Sequence, residues 1–182
     1  MRFFLTLLVS FVSISVFAQH FTIDREMGFV NSDDPTKNYV IIIADGKNTS
    51  QIKNLLIGTL SKMFNHPDKV ISTLGDNTVV VNGYNDNLID NSENEILEII
   101  NYFTFNYNYT IEIRDGRIKV NAPVITNFTN HYKQGSFEKE TVYDDSSKYK
   151  FLTGNGNDGK SNKFFNDFLD NIKKGINTDD DW

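Results

Sequence analysis

Phe103-Thr104-Phe105-Asn106-Tyr107-Asn108-Tyr109-Thr110-Ile111-Glu112-Ile113-Arg114-Asp115-Gly116-Arg117-Ile118-Lys119-Val120 carries the most regular pattern in this chain. Every odd position from Phe103 to Ile113 is aromatic or aliphatic, and every residue between is Thr, Asn or Glu. Successive side chains of a strand point to opposite faces, so this alternation predicts one long strand with a single buried face. Asp115-Gly116 predicts a tight turn into a second strand over 117–124.

Upstream, Lys69 to Leu74 and Thr78 to Tyr84 flank Gly75-Asp76-Asn77, the chemistry of another hairpin. Tyr39 to Ala44 is a short β-branched run closed by Asp45-Gly46, a buried strand. Asn48 and Gln51 are spaced as a capping box, and Ile52, Leu55, Leu56, Leu60, Met63 and Phe64 follow at helical spacing. A helix over 49–65 is expected, stopped before Pro67. Downstream, Phe164, Phe165, Phe168, Leu169, Ile172 and Ile176 form the stripe of an amphipathic helix. Ser161 or Asn162 is expected to cap its start and Gly175 to end it.

The expected class is α+β: a curved antiparallel sheet with two helices packed on one face, in the order β-α-β-β-β-β-α. The expected division is a signal peptide over 1–18, a polar lead-in over 19–38, the core over 39–125, a polar loop or linker over 126–158, the C-terminal helix over 159–176 and an acidic tail over 177–182. Residues 85–94 read as a polar loop.

The leader reading rests on Arg2, an apolar run of about 15 residues from Phe3 to Phe17, and, in Val16-Phe17-Ala18, small residues at the two positions that signal peptidase reads. Cleavage is expected after Ala18, with no membrane span remaining. The 182 residues less these 18 leave 164, one domain's worth. Loss of Arg2 takes the formal charge from −6 to −7. Such a chain does not attract nucleic acid or an anionic membrane. With no Cys there is neither a disulfide nor a thiolate metal site.

The Tyr-x-Ile-x-Ile-x-Asp-Gly-Arg-x-Lys-Val run at Tyr109 to Val120, with the opening strand and helix and the hairpin from Lys69 to Tyr84, resembles the domain of unknown function 4468 family. The resemblance covers roughly Tyr39 to Val124, and Phe17-Ala18-Gln19 is similar to the cleavage region of exported Bacteroidota proteins of that group. It implies a TBP-like fold and export, and no activity. Ile118 stands where the family pattern often has an aromatic residue.

Several motifs look chemical. Gly154-Asn155-Gly156-Asn157-Asp158-Gly159-Lys160-Ser161 matches G-x-x-x-x-G-K-S, in which backbone N–H groups cradle phosphate while Lys and Ser serve its oxygens and Mg²⁺. Only one helix and a tail follow, too little for a parallel βαβ sheet, so it reads as a linker and helix cap. His20, His66 and His131 have no metal-ligand spacing. Asn48, Asn108 and Asn127 open sequons that an Asn-rich chain produces by chance. Glu93, Glu95 and Glu98 read as a solvated cluster, and Asp179-Asp180-Asp181 as a soluble tail. No cofactor is called for.

Phe103, Phe105, Tyr107, Tyr109, Phe164 and Phe168 carry two readings: core, or the wall of an apolar ligand cavity between helix and sheet. The leading functional expectation is a non-catalytic envelope module that binds a protein or surface component. A carrier or sensor of a small apolar ligand is the alternative, and an unrecognised hydrolase the third.

Overall fold

The computed structural model describes residues 19–89, 99–144, 147–154 and 157–178. The leader, the Glu93, Glu95 and Glu98 cluster and the Asp179–Asp181 tail lie outside them.

The expected long strand is the spine of the fold. It is β6 (Ile99–Arg114), which begins four residues before the alternating run. Along one side of β6 lies β5 (Thr78–Ile89), followed outward by β4 (Ile71–Leu74). Along the other side lie β7 (Arg117–Asn121) and then β8 (Val124–Gln134), end to end. They are one run of chain interrupted at Ala122-Pro123, because proline has no N–H for the ladder. Outside β7 is β3 (Tyr39–Ile43), and outside β8 is β9 (Phe137–Val142). All pairs in this seven-stranded sheet are antiparallel.

The described helices pack on the same face. The capping box of α1 (Thr49–Met63) is formed, with Gln51 N–H donating to Asn48 Oδ1 at 3.0 Å and Asn48 N–H to Gln51 Oε1 at 2.9 Å. The Asn48 sequon thus has a structural use. Pro67 opens the short helix α2 (Pro67–Val70), which takes Lys69 and Val70 out of the expected strand. The amphipathic C-terminal helix is α4 (Asp158–Asn177), preceded by α3 (Lys148–Thr153). Ser161 and Asn162 sit inside α4 rather than capping it, since Asn157 holds that position. Gly175 is helical too. Its missing Cβ lets α1 come close: a Cβ there would lie 2.0 Å from Thr59 Oγ1.

Two expected loops are ordered structure. Residues 19–38 contain a hairpin, β1 (Phe21–Asp24) and β2 (Gly28–Asn31), turned by Asp24, whose Oδ1 accepts the Glu26 and Met27 N–H groups at 2.8 Å each. It lies against α4, where Asn166 behaves as a strand partner. Its Oδ1 accepts Phe21 N–H at 2.9 Å and its Nδ2 donates to Phe21 O at 2.9 Å; Asn162 Oδ1 accepts Ile23 N–H at 3.1 Å. Residues 126–158 contain most of β8, all of β9, and α3. Asn127, at φ 53, forms a bulge where the register moves from Thr104↔Thr129 to Asn106↔Thr126. The extra residue brings both Ile125 and Phe128 to the core, although they are three apart in sequence. The expected loop from residue 85 is likewise strand as far as Ile89, with a register shift between Asn85 and Leu88.

Candidate functional site

The aromatic stripe faces α4. Phe103, Phe105, Tyr109 and Phe168 are buried, and Tyr107 and Phe164 are half-buried. Tyr109 stacks on Phe168 with centroids 4.2 Å apart, and Phe105 meets Phe165 at 6.0 Å and Phe164 at 6.1 Å. Tyr107 stands edge-on to Phe164 at 5.7 Å. It lies across Gly83 of β5, where a Cβ would fall 2.0 Å from its ring. The Tyr109 hydroxyl donates to the carbonyl of Phe165 at 3.2 Å, so its polar end is spent within the protein. Burial holds its pKa well above the ordinary phenol value, with the neighbouring Tyr107 adding to the rise. Burial also raises Tyr107.

The other face of the sheet is different. Tyr39, Ile41 and Ile43 of β3, Arg117, Lys119 and Asn121 of β7, and Asn106, Asn108, Thr110, Glu112 and Arg114 of β6 are all half-buried or exposed. The same holds for Val80, Asn82 and Tyr84 of β5, and for Val124 and Thr126 of β8. Tyr84 is 62 % and Val124 57 % exposed, large apolar surface on a face that no helix among the described residues covers. Alternation produces this: residues one position away, such as Val79, Ile111, Ile118 and Val40, are fully buried.

Where β3, β7 and β6 meet, this face holds a concavity of about 360 Å³ lined by Tyr39, Ile41, Glu112, Arg114, Arg117 and Lys119. Glu112 accepts from Asn121 Nδ2 at 2.9 Å and Lys119 Nζ at 3.1 Å, and these bonds hold its carboxyl below the usual range. The Lys119 ammonium also lies 5.0 Å from the centre of the Tyr39 ring. Arg114 and Arg117 are directly opposite each other across the Asp115-Gly116 turn. The Asp115 carboxylate does not serve them. It accepts Thr49 N–H and Oγ1–H, each at 2.7 Å, at the start of α1. Three cations against one carboxylate make the lining net +2, on a chain of formal charge −6. The sequence carried this site only as turn chemistry, since Arg114 and Lys119 become neighbours through strand register.

A second, shallow groove of about 580 Å³ runs along the outside of α1 and α4, over Leu55, Gly58, Thr59 and Gly175, with Lys62 and Lys174 at its rims.

His20 Nε2 lies 2.9 Å from Asp170 Oδ1, and His66 is the exposed residue before Pro67. His131 is the one that meets both a hydroxyl and a carboxylate: Thr104 Oγ1 is 3.0 Å from Nε2, and Glu140 Oε1 is 3.3 Å from Nδ1. The latter is an ion-pair distance without hydrogen-bond alignment, so Nδ1 has no hydrogen bond. The order hydroxyl, imidazole, carboxylate is that of an activated nucleophile. Its setting is that of a cross-strand network. Thr104 is 9 % exposed and lies in mid-strand within β6 between β5 and β8, where its neighbours' N–H groups serve the ladders. His131 is stacked on Tyr102 at 4.6 Å.

The phosphate-loop pattern is preceded by α3, where a nucleotide site needs a strand, and the Ser161 side chain is fully buried. Asn155 and Gly156 lie outside the described residues. Among the described residues, no three His, Asp or Glu side chains are grouped to hold a metal, and no helix is long and apolar enough to cross a membrane.

This is an α+β domain of TBP-like fold: an antiparallel sheet with its helices on one face. A crystal structure of a TBP-like protein from Parabacteroides distasonis is similar to it at a TM-score of 0.53 and 14 % identity, over 78 % of this chain and 92 % of that one. A DUF4468 family protein from Bacteroides ovatus is also similar, at a TM-score of 0.48 and 10 % identity, over 79 % of this chain and 87 % of that one. No family model matches the sequence, and no curated protein matches it.

Proposed function

We propose that this chain is an exported, non-catalytic module of the cell envelope that binds a protein partner through the uncovered face of its sheet. The observation that carries the reading is the one-sidedness of the sheet. One face of the central strands is packed under helices, while the other exposes Tyr84, Val124 and the basic concavity. The aromatic layer supports this reading over carriage of an apolar ligand, since a ligand there has to part the Tyr109–Phe168 stack. Export rests on the order of residues 1–18.

The test is photo-crosslinking in the native envelope, with benzoylphenylalanine placed at Tyr84 or Val124, and at Asn54 or Asp167 on the helix layer as controls. A discrete protein adduct from the sheet positions alone is expected. Adducts from the helix positions alone, or from none, overturn the assignment of the surface. N-terminal sequencing of the same material should begin at Gln19; a chain that keeps residues 1–18 in the cytoplasm removes the address.

A further inference from the structure

The sheet face has a charge anomaly at its β3 end. Like charges directly opposite each other across an antiparallel pair repel. Arg114 and Arg117 are such a pair, both exposed, and among the described residues neither side chain makes a hydrogen bond or a close ion pair, Arg114 reaching Glu112 only through its charge. The nearest acids are engaged elsewhere: Glu112 by Asn121 and Lys119, Asp115 by Thr49. Both guanidinium groups are therefore available to an anion from outside, in a concavity whose own charge is +2.

Guanidinium presents a planar fork that matches a carboxylate with two parallel hydrogen bonds. Beyond the Glu112–Lys119 pair, the lining is Ile41 and the Tyr39 ring, and Ile43 stands 43 % exposed beside it on the outer strand β3. A lone inorganic ion leaves that surface wet. A peptide carrying acidic side chains with apolar neighbours satisfies both parts. A nucleic acid is a continuous polyanion whose phosphates beyond the concavity meet the chain's overall negative charge, whereas a peptide can confine its carboxylates to the arginine pair.

We propose that Arg114 and Arg117 are the recognition point for an acidic peptide segment of the partner, with a carboxylate on the arginine pair and an adjoining apolar side chain on Tyr39 and Ile41. This rests on the open-face reading above and names its chemistry.

The experiment is a titration of ¹⁵N-labelled protein at low salt with a capped peptide alternating glutamate with leucine and tyrosine. Expected are shifts of the amides of 39–43 and 112–119 that shrink as salt rises. Arg114→Glu with Arg117→Glu should weaken binding by roughly tenfold or more while the rest of the spectrum keeps its dispersion. Arg114→Lys with Arg117→Lys should weaken it less, keeping the charge but losing the fork. Equal binding by a peptide with glutamine in place of glutamate overturns acid recognition. Sodium sulfate producing the same shifts at the same concentration assigns a simple-anion site and overturns the peptide. Binding that survives the double charge reversal, or no shift at all, overturns the proposal outright. Crosslinks from Tyr84 and Val124 that persist in the double Glu variant separate the two readings: the open face then stands and the arginine pair falls.

Discussion

Gly175→Ala sets two effects of opposite sign against each other. Gly175 lies within α4, and alanine is favoured over glycine in a helix by about 1 kcal/mol, so propensity alone predicts a more stable protein. The structure predicts the reverse. A Cβ at Gly175 would lie 2.0 Å from Thr59 Oγ1, 2.5 Å from Cγ2 and 2.8 Å from Cβ. Thr59 cannot simply rotate away, because its hydroxyl donates to Leu55 O at 2.8 Å and its own Cβ is among the clashing atoms. The helices must part or the rotamer must strain, at a cost of about 1–3 kcal/mol. With steric cost near the top of that range, the net effect is a loss of about 1–2 kcal/mol, or a fall in Tm of roughly 3–6 °C for a domain this size. Differential scanning calorimetry on four proteins measures it: wild type, Gly175→Ala, Thr59→Gly and the double variant. With Thr59 reduced to glycine the clash is gone, and Gly175→Ala should then raise Tm by about 2–4 °C, close to its propensity alone. A Gly175→Ala single variant with a raised Tm would refute the close α1–α4 packing.

Asn166→Leu keeps the side chain's size but leaves the Phe21 N–H and C=O unpaired at a part-buried site, costing about 1–3 kcal/mol for each group. Native-state hydrogen exchange should show the amides of Phe21 and Ile23 opening faster while those of β6 are unchanged; uniform exchange in wild type and variant would mean that the hairpin is not held this way. Asp115 has its pKa lowered first by the Thr49 hydroxyl and then by the Thr49 N–H. The unfolded chain takes up this proton first, so the stabilisation is complete above the ordinary Asp value of 3.8 and is lost as pH falls through the lower folded value. Asp115→Asn should flatten that part of the acid limb in a series of Tm against pH, and a limb of unchanged slope would exclude the contribution.

The core elements were legible because their signals are local. Period-two alternation in β6, the Asp115-Gly116 turn, the Asn48–Gln51 box and the Phe-rich stripe of α4 each need only a few consecutive residues. The β1–β2 hairpin was hidden because its strands are four residues each, too short to show a period, and because part of its edge is satisfied by side chains of a helix about 140 residues away. A signal for β8 and β9 was present in the two-residue Gly135-Ser136 loop between them. The Asn127 bulge obscured it by shifting the alternation, and β9 is almost wholly exposed, so it carries no hydrophobic pattern.

The fold class and the apolar face of the central strand are readable before any folding, since alternation along one strand is a property of that strand alone. What those faces meet depends on how the strands and helices come together. Register placed Arg114 against Arg117 and Lys119 against Glu112, and it brought His131 between Thr104 and Glu140. The same closure made the aromatic stripe a packed layer under α4 and left the opposite face open. A candidate site on a sheet is built across strands, and the separation of its residues along the chain is set by hairpin lengths and bulges, which no spacing rule within one segment encodes.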